Sequence, residues 1–279
     1  MNLRVINTGY FKLDGGAMFG VVPKSIWQKT NPSDDNNMCS WAMRSLLVET
    51  DDRVVLIDNG MGSKQSEKFF SYYYLHGNDS LHGSLKKVGL EAASITDMFL
   101  THLHFDHCGG GVSKAGQQYK LTFENATYWS NKSHWKWATE PNDREKASFL
   151  RENILPMQES GQLEFIDLEA DTSFGLFDII TVDGHTEKQM LPKIRFKEHT
   201  IVFVADLLPS VGHIPLPYVM GYDTRPLLTL NEKRAFLNEA ADKNYVLFLE
   251  HDPLHECCTV KHTDRGVRLD QTFPLSDIL

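Results

Sequence analysis

Between Thr101 and Gly111 the chain reads T-H-L-H-F-D-H-C-G-G-G, so His102, His104, Asp106 and His107 fall within six residues beside a glycine run. Three imidazoles and a carboxylate at that density are hard to bury unpaired and are best explained by a cation that each can ligate. Along an extended segment His102 and His104 project to the same side. Asp106 and His107 follow after a bend and can serve a second, adjacent cation. Gly109, Gly110 and Gly111 let the backbone turn tightly there without Cβ clashes.

Elements must deliver this run to a cleft. Ile95 to Leu100 has the apolar, β-favouring composition of a short core strand, and the cluster begins where that strand ends, a common place for catalytic loops. A lone histidine is usually a surface or satisfied core residue, but two of the twelve share this strand-end position. His185 follows a strand in Val182-Asp183-Gly184-His185-Thr186, and His251 closes Val246-Leu247-Phe248-Leu249-Glu250. Asp206 ends Ile201-Val202-Phe203-Val204-Ala205, where a carboxylate after a buried strand needs a cation or hydrogen bonds.

Further strands are expected at Met43 to Thr50, Arg53 to Asp58, Ala126 to Ser130, Leu163 to Leu168, Phe177 to Val182, Ile194 to Phe196, Thr200 to Ala205 and Tyr245 to Glu250. The N-terminal residues Met1 to Asn7 also enter a strand. Helices are expected at Ser63 to Tyr74, Leu81 to Val88, Ser133 to Thr139, Arg144 to Leu155 and Leu230 to Lys243, the last opened by a capping box, Thr229-Leu230-Asn231-Glu232. This alternation, without repeat or linker, predicts one α/β layered domain over residues 1–279 with sheets inside and helices outside. Net charge is −9 and no basic stripe is evident, which argues against a nucleic-acid partner. The chain opens without an apolar signal core and holds no run of about 18 apolar residues, so a cytoplasmic location away from membranes is expected. Four cysteines, Cys39, Cys108, Cys257 and Cys258, form no disulfide framework and are read as reduced thiols.

With these residues in place, the chain resembles the metallo-β-lactamase superfamily of metallohydrolases. The H-x-H-x-D-H run at 102 to 107, the G-H-T at 184 to 186, the aspartate at 206 and the histidine at 251 match that family's ligand order across most of the chain. The resemblance implies an αββα sandwich. It also implies two metal ions, one held by His102, His104 and His185, the other by Asp106, His107 and His251, with Asp206 bridging both. Leu13 to Lys24, Leu46 to Thr50 and Glu250-His251-Asp252-Pro253 look like the branch of quorum-quenching lactonases and methyl parathion hydrolases. Two departures stand out. Many relatives continue G-H-T-P-G, whereas here Glu187-Lys188-Gln189 follows Thr186, and Pro209 stands where acyl-homoserine lactonases often place a carbonyl-polarising tyrosine. Tyr218, Tyr222 and His213 are candidates for the missing donor.

The expected chemistry is hydrolysis of a small molecule, a lactone, ester or phosphotriester, by a metal-bridging hydroxide. Zinc suits the nitrogen-rich set, and manganese, cobalt or iron could substitute. Asp106 and Asp206 are the catalytic carboxylates, Asp106 as proton donor to the leaving alkoxide. An iron-dependent oxidoreductase or a thioesterase on the same fold is the alternative, and a metal-stabilised binding protein without turnover a third reading. Asp58, closing Val54-Val55-Leu56-Ile57, could orient a ligand imidazole or be a turn aspartate. Trp129, His134, Trp135 and Trp137 read as core before pocket, and Cys108 as a small buried thiol. The segment from Gly15 to Pro32 could be a lid, an arm joining a homodimer, or a surface loop.

Overall fold

The computed structural model describes residues 1–169 and 172–279. Among the described residues fourteen strands and eight α-helices follow in this order: β1 (Asn2–Asp14), α1 (Gly15–Phe19), α2 (Lys24–Trp27), β2 (Met38–Glu49), β3 (Val54–Ile57), α3 (Glu67–Ser71), α4 (Leu81–Lys87), β4 (Asp97–Phe99), α5 (Phe105–Cys108), β5 (Val112–Ala115), β6 (Gln118–Leu121), β7 (Thr127–Asn131), α6 (Lys132–Thr139), α7 (Arg151–Glu159), β8 (Leu163–Ile166), β9 (Asp178–Val182), β10 (Gln189–Phe196), β11 (His199–Phe203), α8 (Pro226–Asp242), β12 (Val246–Phe248), β13 (Cys257–Thr263) and β14 (Gly266–Phe273). Among the described residues no helix is long and apolar enough to cross a membrane. The chain divides into two compact units, Met1–Gly9 with Met43–Thr172, and Tyr10–Ala42 with Ser173–Leu279.

The first unit is built on the mixed sheet β1-β2-β3-β4-β7-β8; the outer halves of β1 and β2, Tyr10–Asp14 and Met38–Ala42, belong to the second unit. β3, β4, β7 and β8 run parallel in register, Leu56 beside Met98 and Met98 beside Tyr128. Buried parallel strands need no alternation, and β3 and β4 are apolar through most of their length. Leu47, Leu56, Leu85, Met98, Leu100, Phe123, Tyr128, Ile154 and Met157 form one core cluster. α7 begins at Arg151, seven residues later than expected from Arg144, because Asn142 and Glu145 spend their side chains on local turns.

The second unit carries the mixed sheet β14-β13-β12-β11-β10-β9, in which β11 and β12 pair in parallel and the rest antiparallel. Phe203 of β11 stacks on Phe248 of β12 at 5.3 Å, and both are fully buried. The hairpin β13–β14 had no strong sequence signal because its outer residues alternate weakly and lie exposed. α8 starts at Pro226, not at the capping box: proline fills the first helical position, where its missing N–H costs nothing, and Glu232 turns to backbone amides elsewhere. The segment 15–32 is anchored at two aromatic residues, while Val21, Pro23 to Ile26 and Gln28 to Thr30 are exposed. Phe19 and Trp27 are buried and stacked at 5.4 Å, and Gly15 touches the Trp27 ring so closely that a Cβ would overlap it.

Candidate metal-ligand clusters

In the first unit β4 ends at Phe99, the chain runs extended through His102 and His104, and α5 then carries Asp106 and His107. His102, His104, Asp106 and His107 are all buried. The glycines are required here by close approach and not by unusual dihedrals: a Cβ on Gly109 would sit 2.2 Å from the Met61 carbonyl, and one on Gly110 2.2 Å from that of Asn59. His134, on α6, accepts from the Leu103 N–H at 2.8 Å and pins the backbone between the first two histidines.

His102, His104 and His107 are each held from behind by an acceptor. His104 Nε2 lies 3.0 Å from Glu145 Oε1, and Trp137 and Asn142 donate to the other oxygen of that glutamate. His107 Nδ1 lies 3.0 Å from Asp58 Oδ2. His102 Nδ1 lies 3.1 Å from the Thr101 hydroxyl, which itself donates to Asp58 at 2.6 Å and so must accept from the ring. These acceptors assign the tautomers: the bound nitrogens carry hydrogen, and His102 Nε2 and His104 Nδ1 are bare. The two bare nitrogens are 3.1 Å apart. Lone pairs at that distance repel unless a proton or a cation lies between them, which is the donor chemistry of a metal site.

In the second unit His185, Asp206 and His251 come from three strand ends and meet. Asp206 turns Oδ2 to His185 Nε2 at 3.0 Å and Oδ1 to His251 Nε2 at 3.1 Å. His185 Nδ1 contacts Asp223 at 2.9 Å, and His251 Nδ1 donates to the Ala42 carbonyl at 2.8 Å. A neutral His251 therefore presents a bare nitrogen to a carboxylate oxygen, which again calls for a proton or a cation. Without metal the proton is held tightly at His185: burial alone would lower its pKa, but Asp206 and Asp223 outweigh it and raise it to about 10. The residues of both clusters thus fit divalent metal ions, and His102, His104, His185, Asp206, Asp106, His107 and His251 each offer a ligand atom.

The His185 loop is held by side chains in place of the proline and glycine of the family pattern. Lys188 adopts a left-handed φ of 50°, at the place where relatives have glycine. Its amide and its ammonium both bind Asp183, at 2.9 and 3.0 Å, while Glu187 pairs with Arg225 at 2.7 Å. From α8, Glu232 accepts the Asp183 and Gly184 N–H groups at 2.7 and 3.0 Å. Gly184 lies so close to Thr229 that a Cβ would be 2.4 Å from its backbone nitrogen.

Asp58 follows the first of its sequence readings: its carboxylate orients His107, and its backbone is left-handed with φ 55°. His213 is corrected as a donor to substrate. Its Nε2 donates to Met18 O and its Nδ1 accepts from Ser210, both at 2.9 Å, and burial pushes its pKa down to about 3. Cys108 donates to the Leu103 carbonyl, and burial pushes its pKa up to about 12, so it stays a thiol. None of the four cysteines forms a disulfide, and all are buried. Trp137, Trp129 and Trp135 serve structure: the first two donate to Glu145 and Asp97, and the third packs in the core. Glu145 and Asp223, the acidic anchors of His104 and His185, were missed in the sequence, because each lies in a polar loop far from its histidine and no spacing ties the two together.

The model of the metallo-β-lactamase superfamily matches residues 44–251. Among solved structures, a probable metal-dependent hydrolase from Staphylococcus aureus is 26% identical and covers 98% of this chain and 96% of its own at a TM-score of 0.87. AidC, a dizinc quorum-quenching lactonase in complex with a product, is 26% identical over 98% of this chain and 95% of its own, with a TM-score of 0.77. An N-acyl homoserine lactone hydrolase with N-hexanoyl-L-homoserine at its catalytic metal center shares the fold at 19% identity, covering 90% of this chain and 93% of its own, TM-score 0.67. No curated protein matches the chain. With its ligand motifs inside the matched span and its mixed α/β fold in common with these structures, the chain belongs to the metallo-β-lactamase superfamily and takes its place among the hydrolases of that fold.

Proposed function

We propose that the chain is a dinuclear zinc hydrolase of small lactones or esters, with phosphotriesters as a second substrate class, and that residues 1–279 act as one catalytic domain. The single observation that carries the reading is the posture of Asp206, which gives one carboxylate oxygen to His185 and the other to His251. A carboxylate so divided can give one oxygen to each of two metals, which supports the dinuclear reading. In the assignment implied by the family's ligand order, His102, His104 and His185 would hold the first ion, Asp106, His107 and His251 would hold the second, and Asp206 would serve both. The likeness to AidC, a dizinc lactonase, supports zinc and lactones.

When bound, two such metals lower the pKa of water towards neutrality and polarise the substrate oxygen. The chain's own residues do the rest. Asp58, Thr101, Glu145 and Asp223 fix the imidazole tautomers, so the bare nitrogens are aimed before any metal arrives. Asp106, whose carboxylate lies 3.9 Å from His107 Nε2, would take the proton released by the attacking water and pass it to the leaving alkoxide. Proline at 209 leaves the carbonyl without the tyrosine of many lactonases.

The test is a metal count by elemental analysis together with a panel of lactones, aryl esters, phosphotriesters and thioesters on the same preparation. Two zinc ions per chain and turnover of lactones or aryl esters are expected. One metal per chain, or turnover that survives chelation, overturns the reading.

A further inference from the structure

Within the second unit a groove of about 440 Å³ opens between α8, the β13–β14 turn and the segment at Leu216. Three of its lining side chains are arginines, Arg234, Arg265 and Arg268, and among the described residues no acidic side chain lines it. In a chain whose net charge is −9 this is a local reversal of sign. Two of the guanidiniums are held by uncharged acceptors: Arg234 donates to Asn231 Oδ1 at 3.0 Å and Arg268 to the Val267 carbonyl at 2.7 Å. Arginine stays protonated at any ordinary pH, so three gathered around one opening repel one another until an anion arrives, and their planar forks match a carboxylate.

The rest of the lining is apolar. Leu237 and Val267 are buried and Leu216 is half-buried, giving the groove a hydrocarbon wall beside its charged rim. That wall is fixed in advance. Lys233, one residue before Arg234 and itself buried, donates to the Pro215 carbonyl at 3.0 Å and to that of Tyr218 at 2.8 Å, clamping the segment on both sides of Leu216. A preset wall spares a ligand the cost of ordering it. The volume lies in the range of small-molecule sites.

We propose that this groove is a second ligand site, separate from the histidine clusters, that binds a small amphiphilic carboxylate: the carboxylate on the arginines, the aliphatic tail along Leu216, Leu237 and Val267. The experiment titrates the metal-loaded full-length protein with decanoate by calorimetry, with decanol and inorganic phosphate as probes lacking one half of the ligand. Decanoate should bind and neither other probe should displace it. Arg234→Glu, Arg265→Glu and Arg268→Glu should each weaken binding at least about tenfold. The three arginines are not part of the core, so unchanged thermal melting will show that these variants fold. Asp206→Ala, which breaks the proposed metal centre, should leave decanoate affinity unchanged. Unaltered affinity in all three arginine variants overturns the site, as does loss of binding in Asp206→Ala, which would put the carboxylate on the metals. Displacement by phosphate at equal concentration would reduce the groove to a general anion patch and equally overturn it.

Discussion

In the first unit four candidate ligands come from the single run 102–107, backed by two buried carboxylates, Asp58 and Glu145. In the second unit three candidate ligands come from three separate strand ends, backed by one carboxylate, Asp223, and by the main-chain carbonyl of Ala42. Asp58 alone accepts from the Thr101 N–H, the Thr101 hydroxyl and His107, at 2.8, 2.6 and 3.0 Å. The contrast shows two ways of aiming an imidazole. A compact run is held by a small network that one side chain organises, whereas a dispersed set is held by the sheet, with hydrogen bonds adding the last constraint.

The largest effect that would break this comparison belongs to Asp206. Asp206→Ala should abolish hydrolysis and strip both metals, since it touches both His185 and His251; retention of two metals, counted by elemental analysis, would show that it does not bridge. Next come the supporting carboxylates. Asp58→Ala should cost roughly 10–100-fold in metal affinity or activity, and Asp223→Ala should fall at the lower end of that span because His185 is also held by its loop. Equal losses, measured as zinc dissociation constants, would erase the distinction between the units.

The metal-free protein sharpens the same contrast through pH. The raised pKa of His185 means that its protonated form contributes stability that is fully present below about 6.5, the value of an unfolded histidine, and is lost as pH rises through about 10. Thermal melting of chelated protein should therefore fall across that interval, and His185→Gln should flatten the fall. With metal bound the ion takes the proton's place, so the loaded protein should lack this loss. The smallest effect is expected at the His185 loop: Lys188→Gly removes an ion pair with Asp183 but relieves a left-handed φ, leaving stability within about 1 kcal/mol of the parent. A melting shift corresponding to several kcal/mol would mean that the lysine, and not the backbone, holds the loop.

The compact cluster was legible because short-range chemistry wrote it: His102, His104, Asp106 and His107 cannot be neighbours in a buried run without something to ligate. The dispersed ligands His185, Asp206 and His251 were legible only as strand ends, through the apolar runs that precede them. Boundaries failed where a side chain had a distant partner. The capping box at Thr229 misplaced the start of α8 because Glu232 reaches Asp183 and Gly184, some fifty residues back in sequence.

By itself the sequence determined the residue types that can hold metal, the family order in which they occur, and the alternation of strands and helices that carries them. Those follow from local chemistry and periodicity, which act over a few residues. Only the tertiary structure decided which group stands behind each imidazole, that His213 is held by Met18 and Ser210 and not free for substrate, and that Arg234, Arg265 and Arg268 share one groove. Each of those outcomes depends on residues brought together by sheet pairing and helix packing, and no spacing along the chain encodes the distance between them.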